Sequence, residues 1–233
     1  MTQPGALPLY LQISELLIRD IAAGRLSDGE RLPPERDMAA DLGIAVGTLR
    51  QALRDLTHKG LLRRVQGSGN YIRAVADPAS VYALFRLERL AGGGLPTARV
   101  LSVARMVKDA TLPAFGTSAE GHRIRRLRAL SGQIAAVEEI WLDGSLADRI
   151  VPEDLSESLY RFYRTRLNLW ITRAEDRIGQ APLPDWSPAD FPHAPGTPLP
   201  LITRISHDRE GRAVEASLTW FDPVTTRYVA RLK

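Results

Sequence analysis

The chain has 233 residues, 44% of them hydrophobic and 25% charged, with a formal net charge of +4; that length holds one large or two small domains of ordinary globular composition. Cysteine is absent and the four histidines, at 58, 122, 193 and 207, lack ligand-like spacing, which excludes disulfides, thiolate metal sites and cysteine nucleophiles and leaves no metal or cofactor expected. No apolar run approaches the ~18 residues of a membrane span, and the first residues lack a basic start followed by an apolar core, so a cytoplasmic protein with no membrane partner is expected.

Residues 9–23 are expected to form an amphipathic helix, because Ile13, Leu17 and Ile21 recur every four residues with Leu16 beside them. Gly24 follows as a stop. Pro33 and Pro34 open a second, short helix, since proline is tolerated in a first turn; Met38 and Leu42 share its buried face and Gly43 ends it. In a third helix Leu49, Ala52, Leu53 and Leu56 stand at i, i+3, i+4 and i+7, and Gly60 closes the run. Two short helices across a glycine-containing turn make a helix-turn-helix pattern. Leu61 to Val65 reads as a strand, residues 66–69 as a turn and Asn70 to Arg73 as the return strand, which together give a winged helix. Charge follows the same division. Residues 1–43 hold four arginines against seven acids, whereas residues 44–73 hold six basic residues against the single acid Asp55. Such a stretch is a usable footprint for a phosphate backbone.

Residues 74–79 read as a linker, separating a first domain over 1–73 from a second over 80–233. The second contains short alternating segments at 99–107, 122–130, 134–142, 171–178, 199–206 and 213–221, with a helical pattern at about 155–166. This predicts an α+β domain with a mostly antiparallel sheet. Pro182 to Pro200 is proline-rich and reads as a loop with short turns.

In a strand, residues i and i+2 face the same way. Ile124, Arg126, Arg128 and Leu130 therefore share a face, as do Ile134, Ala136, Glu138, Ile140 and Leu142 on the next strand. A three-residue loop, Ser131-Gly132-Gln133, would pair 130 with 134, 128 with 136 and 126 with 138. That register sets Arg126 opposite Glu138 on an otherwise apolar face. Buried charges need partners, and one glutamate cannot neutralise two arginines, so the second can receive an anionic ligand; a purely structural ion pair is the alternative.

The sequence resembles the GntR family of bacterial regulators. The resemblance rests on Pro8-Leu9-Tyr10-Leu11-Gln12-Ile13, Leu32-Pro33-Pro34-Glu35-Arg36, Ala39-Ala40-Asp41-Leu42-Gly43, Thr48-Leu49-Arg50-Gln51-Ala52-Leu53, Gly60-Leu61-Leu62 and Gly67-Ser68-Gly69. The remainder is similar to the effector-binding, or UTRA, domain of the HutC-type subfamily, through Arg126-Leu127-Arg128, Ala136-Val137-Glu138, Ser158-Leu159-Tyr160, Arg173-Ala174-Glu175, Pro195-Gly196-Thr197-Pro198-Leu199 and Val214-Glu215. The resemblance implies a chorismate-lyase-like second domain, a homodimer on a palindromic operator in double-stranded DNA, and repression relieved by a small-molecule effector. A constitutive DNA binder and a lyase-like enzyme are the alternatives; an enzyme would need a reactive group with a positioned base, and none is evident.

In a helix-turn-helix the N-terminal residues of the second helix lie near base edges. Here these are Val46, Gly47, Thr48, Arg50 and Gln51. Arg50 can grip a guanine edge or a phosphate, Thr48 can bond a phosphate or cap the helix, and Gly67 lets the wing backbone approach the duplex. Arg36 lies where family members touch DNA. Many members carry Ser-Arg where this chain has Ala45-Val46; a helix cap and a basic contact are lost, and Val46 could pack on a thymine methyl. Family matching carries the effector role to Arg126, Arg128, Glu138, Ser158, Tyr160 and Glu215. Phe221 stands where some relatives have tyrosine, which would remove one ligand hydroxyl contact.

Overall fold

A computed structural model describes residues 8–22, 24–73, 82, 84–155 and 157–231. The chain divides into two compact units, one carrying Leu7–Phe85 and the other Arg86–Val229. The expected linker at 74–79 lies outside the described residues.

The first unit opens on α1 (Leu9–Ala22), whose buried stripe is Ile13, Leu17, Ile18 and Ile21. Gly24 ends it at φ +69, donating to the Ile21 carbonyl. Next, α2 (Glu35–Asp41) begins one residue after the prolines: Pro34 is its N-cap, with an extended ψ of 138°. The prolines therefore stop the preceding chain rather than fill the first turn. Met38 is buried on this helix, while Leu42 sits at its C-cap and packs on the core from there. Gly43 then takes φ +65, a left-handed conformation that costs a glycine nothing sterically. After that turn α3 (Val46–His58) buries Leu49, Ala52, Leu53 and Leu56, as their spacing predicts. A hairpin of β1 (Leu62–Val65) and β2 (Gly69–Ile72) forms the wing, with Leu62 paired to Ile72 and Val65 to Gly69. Arg31 bridges Tyr71 on the other side of β2, an addition that one residue of sequence does not announce. Tyr82 and Phe85, which the sequence reading puts after the linker, pack with Leu11 in this unit, and the Arg19 guanidinium lies 5.0 Å from the centre of the Phe85 ring.

The second unit is built on a six-stranded sheet in which every pairing is antiparallel. Its strands are β4 (Pro96–Val107), β5 (Glu120–Leu130), β6 (Gln133–Asp143), β7 (Arg173–Pro182), β8 (Pro198–His207) and β9 (Ala213–Phe221), in the spatial order β4-β5-β6-β9-β8-β7. All six fall on the alternating segments, extended at most ends by one to four residues. A small separate sheet, β3 (Leu87–Arg89) with β10 (Thr226–Tyr228), is too short to show alternation. The helical pattern at 155–166 resolves into α4 (Leu159–Arg166), preceded by a 3₁₀ turn at Pro152–Asp154. One sheet face packs on α4 through Ile124, Ile140, Leu142, Phe162 and Tyr163. The opposite face buries Leu127, Val137 and Trp220 under Leu183 and Phe191 of the proline-rich loop.

The β5–β6 connection corrects one expectation. Leu130 pairs with Gln133, not residue 134, across a two-residue turn. Ser131 and Gly132 both take positive φ, 50° and 81°, the requirement of a type I′ hairpin turn. A bulge at Ala135 then restores the anticipated pairs Arg128 with Ala136 and Arg126 with Glu138. The bulge absorbs the one-residue error that would otherwise turn Glu138 to the other face. Gly132→Ala is expected to cost about 1–2 kcal/mol, the penalty for an L side chain in the left-handed region. A urea midpoint that falls with an unchanged slope would confirm it; an unchanged midpoint would contradict it.

Candidate functional site

Two groups of polar residues stand out, one in each unit. In the first, Arg50 and Gln51 project from α3 into solvent, as do Gly47 beside them, Arg36 on α2 and Gly67 at the tip of the wing, while Val46 and Thr48 are half-buried. The N-cap of α3 is Ala45 and supplies no side-chain hydrogen bond. Thr48 lies inside the first turn, its N–H donating to the Ala45 carbonyl, so it does not serve as the cap. Arg50 is 60% exposed, and its Nε donates to Glu35 Oε2 at 2.7 Å. Arg64 of β1 approaches the other oxygen of the same carboxylate at 3.9 Å. The hydrogen bond and charge of Arg50, aided by Asn70 and Arg64, hold the Glu35 carboxyl below its usual range. Glu35 thus ties α2, α3 and the wing together around one point. Beside it, a groove of about 860 Å³ is lined by Arg31, Arg36, Arg64, Gln66 and Gly67, with the acids Glu35 and Asp37 among them. Exposed guanidiniums around a groove, with a helix N-terminus next to it, suit a polyanion.

The second group occupies the α4 face of the sheet. Arg126, Arg128 and Glu138 are each less than a tenth exposed. Arg126 stands directly opposite Glu138 but makes only one bond to it, Nη2 to Oε2 at 2.8 Å. The diagonal neighbour Arg128 makes the fork, with Nε to Oε1 at 3.1 Å and Nη2 to Oε2 at 2.9 Å. Both arginines therefore share the carboxylate, where the sequence suggested that one would be paired and the other left over. Burial pushes the Glu138 carboxyl up, but the charges and hydrogen bonds of Arg128 and Arg126 outweigh it and bring it to about 2. Burial lowers Arg126, with Glu138 opposing and Arg128 adding to the shift.

Next to this cluster Ser158 is the N-cap of α4 and accepts from the Arg161 N–H. Tyr160 and Glu215 meet: the Tyr160 hydroxyl donates to Glu215 Oε1 at 3.3 Å and lies 3.0 Å from Ser206 Oγ. Burial and the Glu215 charge push Tyr160 up to about 12. Tyr163, Arg204, Asp176 and Tyr228 complete this end with Ser206. Tyr163 donates to Glu215 Oε2 at 2.6 Å and Ser206 to Oε1 at 2.7 Å; burial nonetheless keeps the Glu215 carboxyl above its ordinary value. Arg204 forks onto Asp176 at 2.6 and 2.7 Å, and Tyr228 donates to the same Asp176 at 2.8 Å. Tyr163 could have been found three positions beyond Tyr160 on one helix face. Arg204 and Asp176 lie on strands whose pairing the sequence does not reveal. Phe221, buried opposite Ala136, contributes no hydroxyl.

A winged helix-turn-helix with an exposed basic face, joined to an antiparallel unit organised around buried charge, defines a DNA-binding transcriptional regulator with a separate sensing domain. Comparison with known proteins agrees. Residues 9–72 match the family described as "Bacterial regulatory proteins, gntR family", and residues 91–226 match the UTRA domain. The protein belongs to the GntR family, in its UTRA-domain branch. It is 63% identical to the HTH-type transcriptional regulator SmoD of Agrobacterium fabrum, across 98% of each chain. It is 27% identical to the HTH-type transcriptional repressor NagR of Bacillus subtilis, across 92% of this chain and 90% of that one. The crystal structure of YydK from Bacillus subtilis shares the fold at a TM-score of 0.54 and 19% identity, covering 97% of this chain and all of that one.

Proposed function

We propose that the protein acts in the cytoplasm as a homodimeric repressor on a two-fold symmetric duplex site, and leaves that site when a small anionic metabolite binds the second unit. Two-fold protein symmetry is mirrored by half-site symmetry in helix-turn-helix dimers. Arg36, Val46, Gly47, Thr48, Arg50, Gln51 and Gly67 make the DNA contacts in this reading. Arg126, Arg128, Glu138, Ser158, Tyr160 and Glu215 receive the effector.

The observation that carries the effector assignment is two buried guanidiniums sharing one carboxylate. They leave a net positive charge on the apolar face, and guanidiniums grip carboxylate or phosphate through parallel hydrogen bonds. Tyr160 on α4 and Glu215 on the sheet face beneath it can meet the hydroxyls of a polar metabolite. Release from DNA requires the effector to favour the non-binding state, by ~1–3 kcal/mol for a typical coupling.

The test is fluorescence anisotropy of the full-length protein on labelled duplex DNA, titrated with phosphorylated and carboxylated metabolites. An anionic metabolite should release the DNA, and Arg128→Ala should raise the concentration needed by about tenfold or more, as expected for the loss of one charge-assisted fork. Release only by neutral compounds, or an unchanged response in the variant, would contradict the pocket assignment and leave DNA binding intact.

A further inference from the structure

The chain segment that leads into α4 closes over the arginine pair. The main-chain carbonyl of Glu157 accepts from Arg126 Nη1 at 3.3 Å and from Arg128 Nη1 at 3.4 Å. These bonds are long beside the 2.8–3.1 Å contacts that the same guanidiniums make to Glu138, and beside the ~2.7–2.9 Å of a charge-assisted N–H···O bond. The Nη1 groups donate to this carbonyl, while Nη2 of both arginines and Nε of Arg128 serve Glu138, so the Nη1 groups are the donors an incoming anion would take.

The side chain of Glu157 adds a second observation. Its Oε2 is buried and has no hydrogen-bond partner among the described residues. Burial raises its carboxyl above the ordinary value, and the charge of Arg128 recovers only part of that. A buried acceptor without a partner is costly to hold. Arg126 and Arg128 against Glu138 leave one net positive charge; the further acids that feel it are Glu215, through Arg126, and Glu157, through Arg128.

Building on the assignment of an anionic effector to this pocket, we infer that Glu157 is the pocket's own competitor for that effector: its carbonyl covers the arginine pair, and its carboxyl charge acts on Arg128, until an anion displaces them. The exchange replaces two long carbonyl bonds with short charge-assisted ones and releases an unsatisfied carboxyl to water. It also acts at a sensitive place. Glu157 immediately precedes Ser158, the cap of α4, and Tyr160 in the next turn bonds Ser206 and Glu215. Displacing Glu157 therefore pulls on the first turn of α4. Glu157 sets the anion concentration at which the regulator responds, while Arg126 and Arg128 set the kind of ligand.

Isothermal titration of the full-length protein with inorganic phosphate tests this, comparing wild type, Glu157→Gln and Glu157→Ala, each with and without Arg128→Ala. Arg128→Lys runs in parallel, since it keeps the buried charge and so preserves the fold. Both Glu157 variants should bind phosphate roughly tenfold more tightly, the scale of one like-charge repulsion removed at short range in a protein. The gain should vanish when Arg128 is replaced. Equal or weaker phosphate binding by Glu157→Gln, with Arg128-dependent binding retained in the wild type, would overturn the competitor role and leave the pocket standing. Phosphate binding that is absent, or indifferent to Arg128 in every background, would overturn both.

Discussion

Replacing Glu138 by alanine is expected to destabilise the second unit by about 3–5 kcal/mol, the cost of removing one partner from a buried ion cluster. Glu138 is the shared acceptor of three hydrogen bonds from Arg126 and Arg128, and all three side chains are almost wholly buried. Without it, two like charges remain side by side where water cannot screen them. Acid should expose the same dependence. The carboxyl of Glu138 titrates at about 2 in the folded protein against an ordinary 4.5, so its contribution is complete above 4.5 and is lost as pH falls toward 2. The stability gap between wild type and Glu138→Ala should accordingly be full at neutral pH and close between pH 4.5 and 2. Urea denaturation followed by tryptophan fluorescence across that range measures it. A gap below ~1 kcal/mol at neutral pH, the level of a surface pair, or one that does not narrow in acid, would show that the cluster is not what holds this face together.

Arg50→Ala is expected to cost about 1–3 kcal/mol in operator affinity and to relax base preference at one position in each half-site. Arg50 stands in the first turns of α3, exposed, with its Nε on Glu35. That bond orients the guanidinium without burying it, so the outer nitrogens stay available to a base edge. A phosphate contact would behave differently: affinity would fall alike for every sequence, and the salt dependence would lose about one counterion's worth of slope. Competition binding with operator variants at two salt concentrations separates the two. Unchanged affinity together with unchanged preference would remove Arg50 from the interface.

The first unit was legible because its signals are local. Leu49, Ala52, Leu53 and Leu56 lie within three turns of one helix, and the glycines at 24, 43 and 60 mark turns that need positive φ. What escaped was the bridge from Arg31 to Tyr71, since a single extended residue has no period. In the second unit, alternation placed all six strands of the main sheet but not their order. The pair of Arg126 and Glu138 was readable because a hairpin fixes its own register, and the bulge at Ala135 happened to restore it. Arg204 and Asp176 were not readable: β7 and β8 are separated by the proline-rich loop, and nothing local states which residues face. Glu157 was hidden for a further reason, in that its main-chain carbonyl, not a residue type, makes the contact with the arginines.

The most direct test is selection of binding sites by the purified full-length protein from a pool of random duplexes, with wild type and Arg50→Ala side by side. Wild type is expected to enrich an inverted repeat, its half-sites about one helical turn apart or a multiple of it, and the variant a site degenerate at one position per half. Failure of the wild type to enrich any symmetric sequence would contradict this expectation.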